Sequence, residues 1–207
     1  MICRFCVALT AVAMLGLALT VTARADTPPE EAAEPAERLT SAMLDTMRAA
    51  DELGFDGRYE ELEPTLRENF HFPFMARTVA GRHWREFTEE EREDFVERFT
   101  QSSIATFAAR FDGYSGQTFE VGSPRQGPRD SVLVPTRLTR PDADSVSIDF
   151  LVRQFDDEWQ AIDVFLDGRY SELATKRSEY SSILNRQGVQ ALLDLIDRQI
   201  DEHRRSG

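Results

Sequence analysis

The three histidines of the chain are the side chains best suited to bind a metal ion, but their spacing does not favour one. His71 and His83 are twelve residues apart, with Pro73 and Gly81 between them, and His203 lies near the charged end of the sequence. Protein zinc sites combine His, Cys and carboxylate ligands at short, regular spacings. We therefore expect no metal site and no metal cofactor.

The sequence offers few groups for nucleophilic chemistry or calcium binding. Ser115 lies in the stretch GYSG, where Gln117 takes the place of the last glycine of a G-x-S-x-G nucleophile motif. Asp142 and Asp144 are spaced as in a calcium loop, but the glycine and the distal glutamate of such a loop are missing. These residues are better explained as turn residues than as catalytic or calcium-binding residues.

Paired carboxylates are the remaining possibility for catalysis. Asp163 and Asp167 bracket a predicted strand and could act as acid and base, although a strand-end Asp more commonly caps a turn. A small enzyme with a cone-shaped, NTF2-like fold would need polar groups that converge in its cavity. The plausible ones are Tyr114, Asp149 and Asp163. The checklist for active sites therefore favours a protein that is not an enzyme.

Aromatic residues are the stronger signal. The chain contains 14 Phe. A capping box at Thr88–Glu91 starts a predicted helix, and four phenylalanines follow at helical spacing: Phe95, Phe99, Phe107 and Phe111. Such a stripe is either packed core or the wall of an apolar cavity, and composition does not separate the two readings.

The elements that would position these side chains form an α+β fold. Helical periodicity precedes and follows four segments with the two-residue period of strands, at residues 117–123, 130–140, 144–155 and 158–168. Short connections predict a four-stranded antiparallel meander packed against N- and C-terminal helices. Pro135 cannot donate to a strand ladder, so its strand should lie at an edge or contain a bulge.

The first 25 residues read as a cleaved secretory signal peptide. Arg4 precedes the apolar run FCVALTAVAMLGLALTV, and the small residues Ala23 and Ala25 suit signal peptidase. A retained transmembrane anchor is the alternative. Cys3 and Cys6 lie within this segment, so the mature chain would have no disulfide.

The remaining chain is strongly acidic. The signal segment carries two arginines and no acid, which leaves 22 basic and 37 acidic residues and a charge of −15 at pH 7. This charge argues against nucleic-acid binding. Residues 26–37, rich in Pro, Glu and Ala, are expected to form a disordered leader, and residues 38–203 a single domain.

The stretch FPFMARTVAGRHWREFTEEEREDFVERF contains an F-x-x-M-A-R helix, a G-R-x-W turn and a T-x-E-x-R-x-x-F helix. In combination these motifs resemble the MlaC-like, or toluene-tolerance, family of periplasmic lipid carriers. The stretch DVFLDGRYSELATKRSEY, together with RFDGYSG, is most similar to the hopanoid-associated HpnM branch. The resemblance covers residues 38–200.

This resemblance implies a monomeric periplasmic shuttle with an apolar cavity between sheet and helices and no cofactor. Its cargo would be phospholipid or hopanoid. Its partners would be an inner-membrane transporter of the MCE or RND type and an outer-membrane lipoprotein complex, and it would help to maintain outer-membrane lipid asymmetry. The strong negative charge departs from the phospholipid carriers and favours a partner with a basic face or a high-salt habitat.

The lipid-binding residues expected on this basis are apolar: Phe74, Met75, Val79, Phe99, Phe107, Phe111, Val132, Val134, Ile148, Phe150, Val152, Ile183 and Leu184. Three residues are candidates for contact with a headgroup or a partner: Arg82, Trp84 and Arg85. The alternative to a carrier is an adaptor that has a solid core and binds only an envelope transporter.

Overall fold

The structure, a computed structural model, describes residues 28–206. Its helices are α1 (Glu34–Arg48), α2 (Ala50–Asn69), α3 (Phe72–Ala80), α4 (Glu89–Arg110) and α5 (Glu172–Ser206). Its strands are β1 (Thr118–Val121), β2 (Arg125–Gln126), β3 (Val132–Val134), β4 (Thr136–Arg140), β5 (Ala143–Phe155), β6 (Glu158–Leu166) and β7 (Tyr170–Ser171). Two 3₁₀ turns lie at Glu30–Ala33 and Gly81–Arg85.

The predicted α+β class is confirmed, and its meander forms the main path of the sheet. Strands β1, β4, β5 and β6 pair in that order, each antiparallel to its neighbour. Three short strands, β2, β3 and β7, extend this path, so the described sheet has seven strands where the sequence predicted four. The long strand β5 connects these parts because it pairs with β3, β4 and β6.

Pro135 accounts for one of the additional strands. It interrupts the predicted second strand, so that β3 and β4 pair separately with β5. Asp149 closes the break, because its Oδ1 accepts hydrogen bonds from the Thr136 backbone N–H (3.1 Å) and the Ser147 hydroxyl (2.7 Å). The Pro135 carbonyl accepts from the Gly122 N–H at 2.8 Å. The proline thus interrupts a strand inside the sheet, where the neighbouring backbone groups have hydrogen-bond partners, and does not mark an edge strand.

The predicted disordered leader is wrong for residues 30–37. These residues form a 3₁₀ turn and the first turn of α1, and Ala32 and Ala36 are fully buried in the core. Pro35 lies in the first turn of the helix, where a proline costs no hydrogen bond. The Ala-rich composition therefore reflects close packing. The predicted signal peptide lies outside the described residues.

The capping box predicted at the start of α4 is present. The Thr88 side chain accepts a hydrogen bond from the Glu91 N–H at 3.2 Å, and the Glu91 carboxylate accepts from the Thr88 N–H at 2.7 Å. This fixes the direction in which the Phe stripe enters the core, where Phe95 and Phe99 are buried. Helix α5 bends at Gly188, which matches the two C-terminal helices read from the sequence. None of the helices between residues 28 and 206 is long and apolar enough to cross a membrane.

Candidate functional site

A cavity of about 260 Å³ lies between the sheet and helices α3, α4 and α5. Its inner end is aromatic. Phe70, Phe72 and Phe99 are almost completely buried there, together with Met75. The Phe70 and Phe72 rings stack with their centres 5.5 Å apart, and Phe72 meets Phe99 edge-on at 6.4 Å. These rigid side chains form a closed apolar floor.

The link between α2 and α3 positions this floor. The His71 N–H donates to the Ala161 carbonyl at 2.9 Å, which ties the link to β6. The His71 ring Nδ1 then accepts from the Phe74 N–H at 3.1 Å and caps the start of α3. His71 therefore has a structural role. Between residues 28 and 206, no cluster of three His, Cys, Asp or Glu side chains could hold a metal ion.

The end of α4 forms the helical wall of the cavity. Phe107 and Phe111 are one helical turn apart, and their rings stack 5.9 Å apart at an interplanar angle of 15°. Phe107 also meets the floor ring Phe70 at 5.7 Å. Ser103 and Thr106 line the same wall, but their hydroxyls donate to carbonyls of the preceding turn. The wall therefore presents little unsatisfied polarity to the cavity.

The sheet provides the opposite wall. Side chains alternate between the two faces of a strand, so Val146 and Ile148 of β5 face the cavity together with Leu138 of β4. Val164 and Leu166 of β6 continue this surface. The result is an aliphatic wall facing an aromatic one.

Charged residues gather where α4 ends and α5 begins, and we call this end of the cavity its mouth: Arg110, Glu172 and Lys176. Arg110 is exposed, and its Nη2 lies 3.6 Å from the Glu172 Oε2. Lys176 is half-buried, and its Nζ lies 5.6 Å from the centre of the Tyr180 ring. An apolar chamber with charges only around its opening suits an amphiphile.

Asp163 positions the start of α5 beside this mouth. Its carboxylate is buried and accepts hydrogen bonds from the Val164 N–H (2.8 Å), the Ser171 hydroxyl (2.5 Å) and the Leu173 N–H (3.0 Å). Burial raises the pKa of Asp163, and these three hydrogen bonds oppose the rise. A carboxylate held in this way orients the helix that carries Lys176.

The groups weighed for an enzyme do not converge. Asp163 lines the cavity, whereas Asp149 accepts hydrogen bonds at the break beside Pro135 and lies outside the cavity lining. Tyr114 is exposed beside Arg48, with the guanidinium 5.6 Å from the ring centre. The three residues predicted as the polar groups of an active site therefore face different surroundings.

The structure divides the predicted lipid-binding residues into cavity and core. Five line the cavity: Met75, Phe99, Phe107, Phe111 and Ile148. Six are buried in the core outside the cavity lining: Val79, Val132, Val134, Phe150, Val152 and Leu184. Ile183 packs against that core, and Phe74 lies beside Phe155 with the rings 5.6 Å apart. Contact of the first five with lipid stays a prediction.

Arg82, Trp84 and Arg85 lie in the turn between α3 and α4, away from the cavity lining. Arg82 hydrogen-bonds Asn185 of α5, and Trp84 lies under the Arg92 guanidinium at 5.6 Å. Their contact with a headgroup or a protein partner stays a prediction.

Sequence reasoning missed the mouth and part of the floor. Phe72 is the first residue of the α3 motif and Phe70 lies two residues before it, so their alternation with His71 in the stretch FHF was a usable signal. Lys176 carried a clearer one, because it is the only lysine in a chain with 24 Lys and Arg residues together.

Comparisons with known proteins agree with this geometry. The family model described as MlaC protein matches residues 37–198, so the chain belongs to the MlaC family. A phospholipid-binding protein from Ralstonia solanacearum, solved in complex with a phospholipid, has the same fold with a TM-score of 0.73. The two chains are 16% identical, and the match covers 83% of this chain and 98% of the other. A search of curated proteins finds no significant match.

Proposed function

We propose that this protein is a periplasmic carrier that holds the acyl chains of a phospholipid in the cavity and moves the lipid between the membranes of the envelope. The observation that carries the proposal is the apolar chamber itself, closed by Phe70, Phe72 and Phe99 and open at a charged mouth. Membership of the MlaC family and the fold shared with a phospholipid-binding protein support it.

Burial of the acyl chains would supply the binding energy. Each CH₂ group removed from water contributes about 0.8 kcal/mol. The cavity volume of about 260 Å³ lies just below the range of about 300–1,000 Å³ usual for small-molecule pockets. A lipid with two chains would therefore require the walls to move apart, and Phe107 is one of the half-buried residues of these walls.

The cavity also argues against the adaptor alternative. An adaptor needs only a packed core, and this core leaves a space between Phe107, Phe111 and the sheet that its own side chains do not fill. An apolar cavity that no ligand occupies is costly, because its lining side chains lose packing contacts. The finer expectations remain part of the proposal: export by the signal peptide, a monomeric state, and transfer to an MCE- or RND-type transporter and an outer-membrane lipoprotein complex.

A vesicle assay tests the proposal. Donor vesicles carrying a fluorescent phospholipid are mixed with unlabelled acceptor vesicles, and transfer is followed with and without the protein. A carrier speeds transfer in proportion to its concentration. Transfer at the spontaneous rate, at every protein concentration, would reject the carrier and favour the adaptor.

A further inference from the structure

The only lysine of the chain lies at the cavity mouth. The other 23 of its 24 Lys and Arg residues are arginines, whose guanidinium stays charged in all surroundings, whereas a lysine ammonium is a compact charge that responds to burial. Lys176 lines the cavity and is half-buried. A protein with so many exposed arginines thus places its one ammonium group where an apolar chamber meets water.

Within residues 28–206, this ammonium forms no ion pair. No carboxylate oxygen of these residues lies within 4 Å of the Lys176 Nζ, which lies 5.6 Å from the centre of the Tyr180 ring. The neighbouring carboxylate of Glu172 is directed to Arg110, at 3.6 Å. A half-buried ammonium without a direct ion pair is unfavourable, so the site is suited to a negative group from outside the chain.

Charges of both signs act on Lys176. Burial lowers the pKa of Lys176, an effect that Glu179 and Glu172 oppose and Arg110 reinforces. Burial also lowers the pKa of His203, and the charges of Lys176 and Arg110 lower it further. The basic groups of Arg110, Lys176 and His203 therefore act on one another, although the whole chain is acidic.

We propose that Lys176 and Arg110 bind the phosphate of a lipid headgroup while the acyl chains occupy the cavity. This inference rests on the carrier function proposed above and adds a specificity to it. The two side chains would favour lipids that carry a phosphate over uncharged amphiphiles, including hopanoids without a phosphate. Charge-assisted hydrogen bonds from Lys and Arg to phosphate are among the strongest polar contacts in proteins.

Two lipids with identical chains separate this inference from the carrier function. Lipid-free protein is titrated with phosphatidylglycerol and with the matching diacylglycerol, which lacks the phosphate. Wild-type protein should bind phosphatidylglycerol about tenfold more tightly or better, as expected for hydrogen bonds to a charged group. Lys176→Gln should remove that preference, so that the variant binds the two lipids with equal affinity.

The adjacent Arg177 provides a matched control, because Arg177→Gln removes one positive charge from the same helix outside the cavity lining. It should keep the preference.

If wild type binds both lipids equally, or if both variants behave alike, the phosphate site is wrong and the carrier function stands. If wild type binds neither lipid, both proposals fail. If inorganic phosphate alone binds with the same dependence on Lys176 and does not compete with phosphatidylglycerol, Lys176 belongs to a free-anion site and the inference is wrong.

A single lysine also permits a direct spectroscopic readout. Reductive methylation with ¹³C-formaldehyde labels only Lys176 and the terminal amine, and the dimethylated lysine keeps its charge. A bound phosphate stabilises the charged form, so phosphatidylglycerol should raise the pKa of Lys176 and diacylglycerol should not. Because the neutral amine no longer attracts phosphate, the preference should fall as pH rises through the lowered pKa of Lys176. If the pKa of Lys176 is the same with both lipids, Lys176 does not bind the phosphate and the inference is wrong.

Discussion

Phe107 and Phe111 stack on one another at the end of α4, with ring centres 5.9 Å apart and planes inclined by 15°. Both rings face the cavity, and Phe107 also touches the floor through Phe70. A pair in this position belongs to the cavity wall as well as to the fold. Substitutions on this pair can therefore separate lipid binding from stability.

Phe107→Asp should abolish lipid uptake, because a carboxylate in the wall would meet acyl chains without a partner. Phe74→Asp is the matched control. Phe74 is also half-buried and contacts another ring, but it lies outside the cavity lining. It should retain lipid binding. Uptake is measured with a fluorescent phospholipid, and circular dichroism checks that both variants fold. Equal lipid affinity in the two folded variants would contradict the cavity assignment.

A comparison of wild type with Asp163→Asn should show how the buried carboxyl group changes the free energy of unfolding as a function of pH. Because burial raises the pKa of Asp163 in the folded protein, folding binds a proton there more tightly than the unfolded chain does. The stability that wild type gains relative to the Asn variant should therefore be largest at acidic pH and decrease as pH rises through the raised pKa. Urea unfolding at a series of pH values measures this difference. A difference that grows with pH would show that the hydrogen bonds from Ser171 and Leu173 outweigh burial.

Thr88→Ala should lower the free energy of unfolding by about 1 kcal/mol, the usual cost of losing an N-cap. Thr88 is the residue whose side chain accepts from the Glu91 N–H. Thr175→Ala is the control, since Thr175 is exposed within α5 and donates only to the Ser171 carbonyl of its own helix. Chemical denaturation compares the two variants. A loss at Thr175 as large as that at Thr88 would remove the capping box as the explanation.

Gly188→Ala should destabilise the protein although the added methyl group meets no atom within 4 Å. Gly188 has φ 82° and ψ −177°, a conformation almost restricted to glycine, so a side chain there costs about 1–3 kcal/mol. Gly113→Ala is the control, because Gly113 is equally unobstructed and lacks a positive φ. Thermal unfolding of both variants provides the measurement. An unchanged Tm for Gly188→Ala would mean that the bend in α5 is not fixed by this residue.

The α+β class and the start of α4 could be predicted because local signals determine them. The alternation of Val146 and Ile148 indicated one face of a strand, and Thr88 with Glu91 indicated a helix start. The boundary between cavity and core could not be predicted in this way. Phe150 continues the alternation of Ile148 along the same strand, yet it lies in the core outside the cavity lining, with the Phe70 ring 6.3 Å from its own. That contact is a property of tertiary packing.

The mouth was missed for a related reason. Arg110 and Lys176 are 66 residues apart, and only the packing of α4 against α5 places them beside the same cavity. The headgroup prediction instead selected Arg82 and Arg85, which are close in sequence to the aromatic motif but lie in the turn before α4. Proximity in sequence was a poor guide to a site formed by the end of one helix and the start of another.

Lipid extraction tests the central claim most directly. The mature protein is purified without detergent from a host that makes both phospholipids and hopanoids, denatured, extracted with organic solvent and analysed by quantitative mass spectrometry. The carrier predicts close to one phospholipid per protein molecule in wild type and almost none in Phe107→Asp. A lipid-free wild-type protein that also fails to take up added phospholipid would contradict the carrier function.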